Sequence, residues 1–117
     1  MESCHAMRTT ILLLSVDEAP LLAHSLPAAL EAAARAEAPV DVVVVDNASR
    51  DETTALAAEH GAGHLRLVPR RSYAAAINEA IAQTVGDAVL LLNADCVLDP
   101  GFLSAALPRL AEPGIGS

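Results

Sequence analysis

Two apolar runs that each stop at a carboxylate constrain this chain most. Val42, Val43, Val44 and Val45 lead into Asp46-Asn47-Ala48-Ser49-Arg50-Asp51, and Val89, Leu90, Leu91 and Leu92 lead into Asn93-Ala94-Asp95. An uninterrupted aliphatic run of this length, bounded by polar residues, predicts a strand buried on both faces, as in a parallel sheet. Ligands of open α/β sheets bind just beyond the carboxyl ends of such strands. Asp46 and Asp95 therefore stand where a ligand sits, not where a core would have to accept a charge.

The rest of the chain alternates in the same way. Thr9 to Ser15 predicts a first strand. A helix follows over Leu21 to Ala36, with Pro20 in its first turn and Pro27 expected to bend it. Asp41 to Val45 is the second strand. Ser49 or Asp51 is expected to cap the next helix, with Glu52 as capping-box partner, and Gly61 and Gly63 to end it. Leu65 to Val68 predicts a short third strand stopped by Pro69. Ser72 caps a helix to Thr84, Gly86-Asp87 turns the chain, and Ala88 to Leu92 is the fourth strand. Pro100 opens a fourth helix to about Ala111, and Gly114 to Ser117 read as the entry to a fifth strand. Such alternation predicts right-handed βαβ units, hence a three-layer α/β/α architecture with a mostly parallel sheet. Residues 1–8 are expected to be a tail and 9–117 one domain.

Composition removes several classes of function. A formal net charge of −8 and an aromatic content of 2% leave neither a basic face nor a stacking platform for nucleic acid. Every basic residue is Arg or His, so Schiff-base chemistry and the lysine of a P-loop are excluded. Cys4 and Cys96 are far apart, which suggests a reducing compartment and no disulfide framework. Ile11 to Leu14 is too short for a signal peptide core or a membrane span. A soluble, cytoplasmic protein is the expectation. His60 and His64 are four apart, but the glycines between them break the helix a metal pair would need, and Cys4-His5 has no second pair, so no zinc site is expected.

Among doubly wound folds, a dinucleotide-binding domain needs a glycine-rich turn after its first strand. Ser15-Val16-Asp17-Glu18-Ala19-Pro20 contains no glycine, which excludes it. Ile11 to Leu22 looks like the first strand and acidic pair of a two-component receiver, with Asp46 as phosphoacceptor. The strand-end lysine of that family is missing here, and the end of the fourth strand is acidic. The receiver remains a minor alternative.

Three blocks in order resemble the sugar-nucleotide-binding half of a family 2 glycosyltransferase, the inverting type with the GT-A fold. Val42 to Thr53 (VVVVDNASRDET) is similar to its second strand and acidic loop. Arg70 to Ile81 (RRSYAAAINEAI) is similar to the segment written N-x-G-F-A-A-A-x-N-x-G-I, with Arg70, Ser72 and Ala80 replacing Asn, Gly and Gly. Gly86 to Leu103 (GDAVLLLNADCVLDPGFL) is similar to the strand carrying the metal motif, with Asn-Ala-Asp for Asp-x-Asp. The closest flavour is rhamnosyltransferase-like.

The resemblance implies transfer of a sugar from a UDP- or dTDP-sugar to an acceptor it does not name, with Mg²⁺ or Mn²⁺ neutralising the leaving diphosphate. It assigns Asp95 to the metal, Asn93 to the ribose or the cation, and Asp46 to an N–H of the base. Ser15 and Asp17 fall in the nucleotide-proximal loop after the first strand. Of the arginine pair at the entry to the third helix, Arg71 is favoured over Arg70 to grip a phosphate or base carbonyl. The family's catalytic base matches no residue here and is expected beyond residue 117. The chain is thus read as a truncated form carrying the sugar-nucleotide and metal half only. The alternative is a catalytically dead nucleotide-binding or regulatory module. An exposed sheet edge also predicts self-association.

Overall fold

The computed structural model describes residues 8–36, 39–84, 88–99 and 101. Seven elements follow one another in strict alternation: β1 (Thr9–Ser15), α1 (Ala19–Arg35), β2 (Val40–Asp46), α2 (Thr53–Glu59), β3 (Gly63–Arg66), α3 (Tyr73–Ala82) and β4 (Ala88–Asn93). The strands form one parallel sheet in the order β3-β2-β1-β4. This order separates the fold from the receiver reading, because receivers pair their first strand with the second and third. Here β1 pairs with β2 and β4, and the chain reverses its winding direction between β1 and β4.

Alternate residues of the central strands feed two cores. Ile11, Leu13, Val42 and Val44 pack under Leu22, Leu26, Ala29 and Ala32 of α1 and Ala57 of α2. Leu12 and Val45 point to the other face, against Ala76 and Ala80 of α3. The three-layer α/β/α arrangement is therefore as the alternation predicts. Leu22 and Leu26 are fully buried, each stabilising the fold by about 1.5–3 kcal/mol relative to an exposed side chain. Small alanines on the inner faces of α1 and α3 let both helices lie close to a core with few aromatic rings.

Several boundaries depart from expectation, each for a local reason. Helix α1 starts at Ala19, two residues early, and runs through Pro27 to Arg35. Pro27 deprives the Ala23 carbonyl of its helical donor, and Ala23 faces solvent, where water can take that role. Leu22, Leu26 and Ala29 meanwhile hold the helix to the sheet. The N-cap of α2 is Glu52, without a side-chain cap, so neither the Ser49 cap nor the Glu52 box forms. Asp51 instead accepts from the Thr53 N–H at 3.0 Å and from the Ala19 N–H at 2.9 Å, joining the starts of two helices. Helix α2 ends at Glu59, and Gly61 takes the left-handed φ of 75° that follows it. Gly63 belongs to β3, which lies two residues earlier than predicted. Ser72 caps α3 as expected, accepting from the Ala75 N–H at 3.2 Å.

Arg8 is tied to the sheet: its guanidinium pairs with Asp41 at 2.9 Å and its carbonyl accepts from the Ala88 N–H. The turn at Gly86-Asp87, the helix expected from Pro100 and the strand entry at Gly114 lie outside the described residues. Among the described residues, no helix is long and apolar enough to cross a membrane.

Candidate functional site

Parallel strands deliver all their carboxyl ends to one edge of the sheet. Ser15 stands beside Asp46, Asp46 beside Arg66, and Leu14 beside Asn93. Three loops rise from this edge: 16–18 after β1, 47–52 after β2 and 67–72 after β3. Asn93 and the residues after it complete the row.

Asp46 stands at the strand end as expected, but its carboxylate turns inward. The residue is fully buried. Its Oδ1 accepts from the Ser49 N–H at 2.8 Å; its Oδ2 accepts from the Thr54 hydroxyl and from Arg66 Nη1 at 2.7 Å. Burial raises the Asp46 carboxyl, but the donors from Thr54, Ser49 and Arg66 outweigh it and leave the group below its ordinary value. In this geometry Asp46 builds the β2–α2 loop, its carboxylate fully buried among donors from Ser49, Thr54 and Arg66. Arg66, which also donates to the Ser49 carbonyl at 3.1 Å, is a partner the sequence reading missed. The placement of β3 two residues too late had put it mid-strand instead of at the strand end opposite Asp46.

Ser15 is likewise turned in. It is fully buried, with its hydroxyl 3.4 Å from that of Thr53 and its carbonyl accepting from the Asn47 N–H. Asn47 shapes its loop by gripping the next one. Its amide donates to the Arg71 carbonyl at 2.8 Å and accepts from the Arg71 N–H at 2.9 Å. That two-point clasp fixes the direction of the arginine pair. The Arg71 guanidinium turns back along α3 to Glu79 at 3.1 Å, away from the strand ends.

Arg70, the residue set aside in favour of Arg71, turns the other way. It donates to the Asn47 and Ala48 carbonyls, both at 3.2 Å, and pairs with Asp17 at 2.6 Å. Asp17 is therefore not a free loop acid. Its Oδ1 accepts from the Arg50 N–H at 2.6 Å, and its own N–H donates to the Ser49 hydroxyl at 2.9 Å. The Arg50 N–H and the Arg70 guanidinium hold the Asp17 carboxyl below its ordinary value. Asp17 and Ala48 both adopt left-handed φ, 54° and 59°, without being glycine. Strain of this kind persists only where the surroundings over-determine it, and it gathers at binding sites. Asp17, Ala48, Arg50 and Arg70 line an open recess above β1 and β2. The Arg50 guanidinium has no partner among the described residues.

At the end of β4, Asn93 and Asp95 are both exposed. The Asn93 amide oxygen accepts from the Tyr73 hydroxyl at 3.3 Å, and the Asp95 carboxylate has no hydrogen-bond partner among the described residues. No group of three or more His, Cys, Asp and Glu residues able to hold a metal exists among the described residues. A hard cation such as Mg²⁺ or Mn²⁺ binds one or two carboxylates and takes its remaining oxygens from phosphates and water. The donor set of Asp95 and Asn93 fits such an ion and does not fit zinc. Asp99 accepts from the Gly101 N–H at 2.8 Å. A second cavity, about 700 Å³, opens at the opposite end of the sheet near Thr10, Val40 and Gly63. It lies at the amino ends of the strands, away from this chemistry.

A sequence profile for Glycosyl transferase family 2 matches residues 10–116. The chain belongs to that family. An uncharacterized glycosyltransferase of Mycobacterium tuberculosis is 35% identical over 87 residues, 74% of this chain and 38% of its own length. Mannosyltransferase PcManGT from Pyrobaculum calidifontis, solved with GDP-Man and Mn²⁺, superposes with a TM-score of 0.82 at 28% identity, over 96% of this chain and 34% of that one. Glucosyl-3-phosphoglycerate synthase from M. tuberculosis, solved with UDP, superposes with a TM-score of 0.68 over 92% of this chain and 39% of that one. At 21% identity that likeness speaks for the fold alone. The chain thus spans little more than a third of these relatives. The family 2 match and these neighbours settle the GT-A class of the fold.

Proposed function

We propose that this chain forms the sugar-nucleotide-binding part of a glycosyltransferase, holding a nucleoside diphosphate sugar and a divalent cation at the carboxyl ends of β1, β2 and β4. The observation that carries the reading is the exposed Asp95 carboxylate, without a partner among the described residues, just beyond β4, the strand at which the sheet changes its winding direction. The neighbour solved with GDP-Man and Mn²⁺ supports it, at an identity above that of the other solved relatives compared here.

Asp95 and the Asn93 amide oxygen would hold Mg²⁺ or Mn²⁺. The cation supplies neutralisation of charge developing on the leaving diphosphate. The chain's own residues do the positioning. Asp46, through Thr54, Ser49 and Arg66, fixes the β2–α2 loop, while Arg70 ties that loop to the one after β1. Both loops are then rigid before the nucleotide arrives, which lowers the ordering cost of binding. Ser15 acts within this scaffold and not on the ligand. Asp17, with Arg70 in the place given earlier to Arg71, faces the nucleotide.

Calorimetric titration of GDP and UDP into the chain, with and without Mn²⁺, tests the reading. Binding of either nucleotide that needs Mn²⁺ and is lost in Asp95→Ala supports it. Absence of binding by both, in a chain shown to be folded, overturns it in favour of a module that has lost its ligand.

A further inference from the structure

We propose that the recess between the β1–α1 and β2–α2 loops recognises guanine, so that the bound molecule is a guanosine diphosphate sugar. This rests on the sugar-nucleotide site just described and names its base.

The choice follows from which carboxylate is available. Asp46 is fully buried, with two donors on Oδ2 and one on Oδ1, whereas Asp17 stands open in the recess with Ala48, Arg50 and Arg70. Two short hydrogen bonds fix the Asp17 carboxylate, the Arg50 N–H on Oδ1 and Arg70 Nη2 on Oδ2, both at 2.6 Å, and the Asp51 N–H adds a weaker pull. A carboxylate has about four lone-pair positions, two on each oxygen. Asp17 is thus held in place from both sides while its side chain stays 40% exposed to the recess, so both oxygens remain open to an incoming donor pair. That is a paired acceptor, and it needs a paired donor.

Guanine carries two adjacent donors on one edge, N1–H and the exocyclic N2 amine. Uracil and thymine carry a single N–H between two carbonyls, so the second Asp17 oxygen would face another oxygen. Adenine sets an amine beside an unprotonated ring nitrogen, with the same penalty. The surrounding cations match as well. Guanine adds acceptors at O6 and N7, which arginine reads in its fork geometry. The Arg70 guanidinium lies against Asp17 Oδ2, and Arg50 has a guanidinium without a partner among the described residues. The backbone is left-handed at both Asp17 and Ala48, which line the recess.

The test is competition among bases on the intact chain, with Mn²⁺ in fixed excess. GDP, IDP, ADP and UDP are titrated by calorimetry into the wild type and into Asp17→Asn. GDP is expected to bind at least about tenfold more tightly than UDP or ADP, because a site built for paired donors rejects a base lacking them. IDP differs from GDP only by the missing N2 amine and should bind roughly three- to tenfold more weakly, the worth of one exposed hydrogen bond. In Asp17→Asn the GDP to IDP ratio should fall towards one while the Mn²⁺ requirement persists. UDP binding as tightly as GDP, or equal GDP and IDP affinities in the wild type, overturns the guanine assignment and leaves the sugar-nucleotide site standing. An unchanged GDP to IDP ratio in folded Asp17→Asn also overturns it. Failure of all four nucleotides to bind overturns the site and the base together. The wild-type comparison needs no variant, so a poorly folding Asp17→Asn does not protect the proposal.

Discussion

Arg66 reaches sideways from the last residue of β3 to place its Nη1 2.7 Å from Oδ2 of Asp46, its register partner on β2. The contact is asymmetric: the Asp46 side chain is wholly buried and the Arg66 side chain is 43% exposed. The acid is thus the member that cannot be removed cheaply. Replacing it leaves the Ser49 N–H, the Thr54 hydroxyl and a guanidinium without their acceptor.

Asp46→Ala is therefore expected to lower the unfolding free energy by roughly 2–4 kcal/mol, the range for orphaning buried partners of a charge. Arg66→Ala should cost less, because its own charge is partly solvated. Urea unfolding of the two variants checks the order. An Arg66 effect equal to or larger than that of Asp46 would show that the pair is held from the arginine side.

Asp51 bonds the Ala19 and Thr53 N–H groups at once. Asp51→Ala should cost about 1–2 kcal/mol, the upper part of the range for losing a helix cap, since two helix starts lose their acceptor together. Asp51→Asn can keep only one of the two acceptors and should fall between. Thermal unfolding of the three proteins gives the ranking.

Acid should weaken this fold through the same carboxylates. Asp46 and Asp51 are held below the ordinary aspartate value when folded, so as the pH falls the unfolded chain takes up protons more readily. Their contribution is complete above the unfolded value and is lost as the pH falls through the lower folded values. Chemical unfolding followed from pH 7 down to pH 3 should show stability nearly flat at first and declining at the acid end. In Asp46→Ala that decline should be shallower.

The two ends of the site should respond separately. Asp95→Ala is expected to weaken Mn²⁺-dependent nucleotide binding by at least about tenfold, as loss of a cation's carboxylate ligand implies. It should leave the melting temperature unchanged, since the carboxylate is exposed and has no protein partner among the described residues. Arg71→Ala should leave affinity within about twofold of the wild type, because its guanidinium pairs with the half-buried Glu79 along α3. A large loss in Arg71→Ala would return that residue to the ligand.

The sequence was most legible where period and composition act locally. Strand β1 begins and ends where it was expected, because seven residues of uniform strand character stop at a polar loop without glycine. Ser72 declared itself as a cap by its position alone. What stayed hidden depended on pairing between distant segments. Gly63 enters β3 as the register partner of Val43, a pairing between residues twenty positions apart. That pairing brings Arg66 to the strand end beside Asp46, which no local pattern reveals. The exchange of roles between Arg70 and Arg71 has the same origin. Neighbouring residues of one type point apart, and only the grip of Asn47 on the Arg71 backbone decides which faces the recess. Asp46 itself shows how a strand-end acid can turn inward and hold the loop that follows it.

The order β3-β2-β1-β4 also carries a consequence for how the chain is made. Strand β1 emerges first from the ribosome, and its edge along Thr9 to Leu14 finds no partner until Ala88 to Asn93 have been synthesised. Until then a strand destined for the centre of the sheet is half-paired, with an open row of peptide groups and a run of leucines. Contacts of such long sequence separation form late. The interval between translating β2 and β4 is thus when a chaperone has most to shield.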